Sequence, residues 1–144
     1  MFFNPNNTNT VHKTANHFFY NNKKDNDIYI QECGAGNKGS VRFAASILQP
    51  DIFILTNVYE HHLQAYHTYE NLFEDKTSAD DYLKEGGVII TNYDDEAIAA
   101  HQFKHKVITF GITTDKEVDY RATNIVQNRE MLEFDVEHKV GVTH

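Results

Sequence analysis

Three continuous runs of β-branched and aromatic residues limit what this chain can become: DIFILTNV at 51–58, GVIITN at 87–92 and KVITFGI at 106–112. Runs without polar alternation read as strands buried on both faces, the signature of a parallel sheet. Amphipathic stretches lie between them. YENLFEDKTSADDYLKE places Leu72, Phe73, Ala79, Tyr82 and Leu83 near helical spacing, and Gly86-Gly87 stops it. DDEAIAAHQF opens with acids, which suits the positive end of a helix. Upstream, DIYIQEC reads as a strand and SVRFAASIL as a helix with Ser40 as N-cap, ended by Pro50. The alternation implies an α/β fold with a mostly parallel sheet and flanking helices. After Thr114 the rhythm changes. DYRATNIVQN and EMLEFDVEH follow each other without a helix, so they form an antiparallel pair at the C-terminal end.

Residues 1–26 are poor in aliphatics and rich in Asn and Lys. They read as a loop-rich N-terminal segment with one short ordered piece at VHKTANHFFY, leaving 27–144 as the α/β domain. At 144 residues one domain is expected. A formal charge of −8 argues against binding nucleic acid or anionic membrane. The single cysteine, Cys33, excludes an internal disulfide and fits a reducing cytoplasm. No apolar run approaches a membrane span.

Gly34, Gly36 and Gly39 spell G-x-G-x-x-G between a strand and a helix. A dinucleotide site also needs an acid at the end of the next strand, and Thr56-Asn57-Val58 stands there. A phosphate loop fits no better, because Ser40 stands where its lysine belongs. Glu32, just before the glycines, offers other chemistry. It is placed at the carboxyl end of a central strand, where open α/β sheets gather ligands. His61 and His62 follow the next strand and the helix after it carries Lys76, so a carboxylate, an imidazole and an amine are expected on one sheet edge. The histidines lack Cys or carboxylate partners at zinc spacing.

These residues resemble the central domain of the Mur ligase family, the ATP-dependent amide ligases of peptidoglycan-precursor synthesis. The match comprises Glu32-Cys33-Gly34-Ala35, Gly39, Pro50-Asp51 and Thr56-Asn57-Val58. It continues with His62-Leu63, Lys76 fourteen residues beyond that His, Gly86-Gly87, Asn92 with Asp94-Asp95, and the Ile-Thr-Phe-Gly run at 108–111. The resemblance covers about residues 27–135. It implies Glu32 and His62 as Mg²⁺ ligands, Lys76 as a carbamylated lysine, and Asn92 with Asp95 as ATP contacts. Thr14 and Asn16 resemble, one residue short, a Thr-x-x-Asn loop near the nucleotide-sugar substrate. The reaction implied is phosphoryl transfer from ATP to a peptide carboxylate, then attack by an amine.

One part of the pattern is missing. The 144 residues contain no Gly-Lys-Thr/Ser phosphate loop, and the family's N- and C-terminal domains have no room. The chain is therefore expected to be a central-domain segment, inactive alone. An uncovered sheet edge or face is expected with it, and so a homo-oligomer, a partner chain supplying the missing half, or marginal stability. The alternatives are a non-catalytic binding or oligomerisation module that keeps the fold, and a small dinucleotide-binding domain. Mg²⁺-dependent ATP binding separates the first two readings, and preference for NAD marks the third.

Overall fold

The computed structural model of the chain describes residues 2–3, 13, 15–16, 18–19, 28–60, 63–138 and 141–143. Strands β1 (Phe2–Phe3) and β2 (Tyr29–Ile30) pair in parallel as a small separate sheet. Residues 13, 15, 16, 18 and 19 have helical backbone, within the piece expected to be ordered. Phe18 meets Tyr29 edge to face at 5.5 Å, which ties that piece to β2.

The main sheet has six strands in chain order: β3 (Ile52–Leu55), β4 (Val88–Asn92), β5 (Lys106–Gly111), β6 (Tyr120–Gln127), β7 (Leu132–His138) and β8 (Gly141–Thr143). Pairings from β3 to β6 are parallel, and β6–β7 and β7–β8 are antiparallel. The mostly parallel sheet with an antiparallel end is thus the one the sequence pattern implies.

Helix α1 (Ser40–Leu48) covers the interval read as a helix. Its N-cap is Gly39 rather than Ser40, with φ of 86°, a value that favours glycine. Ser40 instead accepts from the Asn37 N–H. The long stretch after Thr68 divides in three dimensions. A short α2 (Leu63–Tyr66) precedes α3 (Tyr69–Thr77), which tightens into a 3-10 turn at Ser78–Tyr82. There buried Asp80 accepts from the backbone N–H of Lys104 and His105 and contacts His105 Nδ1 at 2.7 Å. Helix α4 (Glu96–Ala100) completes the layer. No described helix is long and apolar enough to cross a membrane.

Helices α1 to α4 all pack in core clusters with the Phe53 and Leu55 face of β3. Leu55, Val58, Tyr66, Leu72 and Ile98 form the main core cluster, joined by Phe53 and Ala35. Val41, Ala45 and Ala79 form a second cluster that also touches Phe53. Two expectations change here. The run 52–55 is buried on one face only: Phe53 and Leu55 pack with helix residues, while Ile52 and Ile54 on the other face are each 58% exposed. DIYIQEC shortens to Tyr29–Ile30, and 31–36 are irregular. Glu32 therefore follows a strand of the small sheet, not a central strand of the main one.

Candidate functional site

The carboxyl ends of β3, β4 and β5 open on one rim, and three of the candidate residues, Lys76, Asn92 and Asp95, lie there. Leaving β3, the Asn57 carbonyl accepts a hydrogen bond from Lys76 Nζ at 3.2 Å. Lys76 belongs to the last turn of α3 and is half-buried. Burial lowers its pKa, opposed by the Asp95 charge, because removal from water penalises an ammonium. A larger share of neutral amine follows, and a neutral amine is the form that reacts with electrophilic carbon.

Leaving β4, Asn92 Oδ1 accepts from the Asp94 N–H at 2.9 Å. Among the described residues the Asn92 side-chain amide donates to none. Asp95 caps α4, with Oδ1 accepting from the N–H of Ala97 and Ile98, as a good N-cap does. Its Oδ2 accepts from Val58 N–H at 2.9 Å. Both Asp95 oxygens are thus engaged with backbone. Leaving β5, the N–H groups of Ile112, Thr113 and Thr114 donate to Asp94. Burial pushes the Asp94 carboxyl up, but those three N–H groups and the Thr113 hydroxyl outweigh it and hold it below the usual range.

Glu32 sits exposed in the irregular 31–36 segment. Beside it, burial first and the Glu32 charge second push the Cys33 thiol up to about 11. The thiol stays protonated near neutrality and is no nucleophile there. Gly36 shares a shallow open hollow with Glu60, Leu63, Gln64 and Ala65. The glycine loop therefore faces the segment that brackets His61 and His62. His62 itself lies outside the described residues, as does Thr14. Asn16 has helical backbone and is exposed. Among the described residues no three His, Cys, Asp or Glu side chains group closely enough to hold a metal ion.

The glycine motif has a structural explanation. Only Gly39 among the motif's glycines has a positive φ, and a Cβ on Gly36 would meet open space. The start of α1 already faces an anion of the chain itself. Asp75 Oδ2 and Oδ1 accept from the Val41 and Arg42 N–H groups at 3.4 and 3.3 Å. The Tyr66 hydroxyl lies 2.6 Å from Asp75 and 2.7 Å from the Asn37 carbonyl oxygen. Buried Asp75 fills the place a pyrophosphate would need.

Sequence reasoning assigned no role to Asp75, Tyr66, Asn57 or Asp94. Asp75 and Tyr66 carry no local signal, since their partners at 37–42 are far along the chain. Asp95 had one: an acid just before EAIAA is an N-cap pattern.

Comparison with known proteins agrees with this geometry. Residues 2–143 match the family model described as the Mur ligase middle domain. The UDP-N-acetylmuramoyl-tripeptide--D-alanyl-D-alanine ligase of Bacillus subtilis is 28% identical over 137 residues, covering 88% of this chain and 29% of that protein. A crystal structure of MurF from Acinetobacter baumannii superposes with a TM-score of 0.82 at 20% identity, covering 98% of this chain and 31% of that one. MurF from Thermotoga maritima in complex with ADP gives 0.82 at 21%, covering 98% and 32%. At those identities the two structures speak for the fold alone. The chain spans about three-tenths of the length of these relatives. By the match along nearly its whole length, the chain belongs to the Mur ligase family, as a middle domain.

Proposed function

We propose that this chain carries the nucleotide- and metal-facing rim of an ATP-dependent amide ligase acting on nucleotide-sugar peptides, and forms no amide bond by itself. The observation that carries the reading is Lys76: a desolvated amine held on the Asn57 carbonyl at the exit of a parallel strand. The Thermotoga relative was crystallised with ADP, which supports ATP as the nucleotide. In this reading Asn92 offers its side-chain amide to the base. Asp95 serves the nucleotide indirectly, because its oxygens hold backbone N–H groups. Thr14 and Asn16 are proposed to face the nucleotide-sugar.

The donor chemistry of the candidate residues suits Mg²⁺. Glu32 is an exposed carboxylate, and carbamylation of Lys76 would replace a cation with a second oxygen anion; a hard cation prefers oxygen ligands. Glu32 and His62 are the proposed ligands. Bound there, Mg²⁺ would hold phosphate and carboxylate oxygens together and neutralise their charge. The chain's own groups orient the base, exclude water from Lys76 and fix the loops.

Inactivity of the chain alone follows from its lack of a Gly-Lys-Thr/Ser sequence, and so of a lysine and N–H cradle for the terminal phosphates. The open face of β3, where Ile52 and Ile54 are exposed, supports a second copy or further polypeptide as a cover. Calorimetric titration tests the reading. Weak ATP binding that needs Mg²⁺ and is lost in Asn92→Ala is expected. Tighter binding of NAD than of ATP would contradict it, as would an ATP-dependent amide-forming rate from the pure chain.

A further inference from the structure

We propose that Asp94 and Asp95 are positioning residues: one consecutive pair that reaches sideways from β4 and sets the spacing of both neighbouring strand exits. The functional meaning of that spacing rests on the reading above, that this rim holds the nucleotide and Lys76.

The pair sits after the middle strand, with β3 on one side and β5 on the other. Asp95 reaches toward β3 and Asp94 toward β5. Capping α4 requires a single acceptor oxygen, which Ser or Thr would supply. A carboxylate has two, and the second Asp95 oxygen takes the Val58 N–H. Val58 follows Asn57, whose carbonyl holds Lys76. The Asn57 carbonyl and the Val58 N–H belong to one peptide group, so Asp95 is connected to the Lys76 amine through that single peptide.

Asp94 does the corresponding work on the other side. It gathers three successive N–H groups of the β5 exit, at 2.9, 2.8 and 2.8 Å. Arg121 closes the same loop through its carbonyls, donating to Thr114 and Lys116 at 2.8 and 2.7 Å. Gly111 makes room for the approach. A Cβ there would lie 2.7 Å from Thr114 Cγ2 and 3.2 Å from Asp94 Oδ1. The loop is thus held by an anion on its amides and a cation on its carbonyls, at the edge where parallel sheets bind ligands.

Two variants of the full chain separate the roles, read by amide hydrogen exchange and by acylation of each lysine followed by mass spectrometry. Asp95→Ser keeps a helix-capping hydroxyl. It is expected to speed exchange at Val58 by about tenfold or more, with Ala97 and Ile98 still protected. Lys76 acylation should move to lower pH, while exchange at 112–114 stays unchanged. Asp94→Ala should release Ile112, Thr113 and Thr114 and leave Val58 and Lys76 as they were. The proposal is overturned if Asp95→Ser leaves Val58 and Lys76 at their original values, or if either variant loosens both exits alike. Failure of Mg²⁺-ADP to bind the unaltered chain would count against the nucleotide reading alone, since the exchange results do not depend on it.

Discussion

The two faces of β3, continued less sharply on its neighbour β4, have the same kind of sequence and different surroundings. Phe53, Leu55, Ile89 and Thr91 lie under helices, with Ile89 and Thr91 fully buried. Ile52 and Ile54, on the alternate positions, are each 58% exposed, next to Val88 and Ile90 on the paired strand. Composition does not explain the contrast. Strands of a parallel sheet are apolar on both faces because both are normally covered. The covered face holds the domain together, and the open one leaves Ile52 and Ile54 to solvent.

The largest expected effect comes from breaking the covered face. Ile89→Ala should cost about 2–5 kcal/mol, read as a lower urea midpoint, because a fully buried side chain leaves a cavity. Asp75→Ala comes next, at about 1–3 kcal/mol. It strips the acceptor from the Val41 and Arg42 N–H groups, which join α1 to α3, and from the Tyr66 hydroxyl, which joins α2 to α3. A smaller effect should appear with pH at the rim between the faces. The folded pKa of Asp94 is depressed, so its contribution is full above the unfolded value of about 3.9. It is lost as pH falls through the lower folded value. Acid unfolding of Asp94→Asn, followed by circular dichroism, should lose that part of the slope. Smallest for stability is Ile54→Lys on the open face, at about 0.5 kcal/mol or less. The same substitution should abolish any self-association seen by sedimentation. An equally large loss from Ile54→Lys and Ile89→Ala would erase the distinction between the faces.

Much of the fold was legible because it depends on local pattern. The apolar runs at 51–58, 87–92 and 106–112 mark the parallel strands, and SVRFAASIL marks α1 with its limits. The β6–β7 pair followed from the change of period after Thr114. What failed depends on neighbours. Periodicity cannot tell that β3 lacks a cover on one side, or that β2 pairs with β1 instead of the main sheet. At the rim, Lys76, Asn92 and Asp95 could be read along the chain. The bonds of Asp75 and Asp94, and the one from Val58 to Asp95, could not, since each joins backbone groups distant in sequence.

Lys76 offers the most direct test. Its neutral amine can attack the carbon of CO₂, forming the N–C bond while the proton passes to water and a carbamate anion remains. The chain incubated with ¹³C-bicarbonate near neutral pH should give a carbamate carbon resonance by NMR that disappears in Lys76→Arg. An unchanged spectrum in Lys76→Arg, or no carbamate signal at saturating bicarbonate, would contradict the assignment of this rim as the chemical edge of the domain.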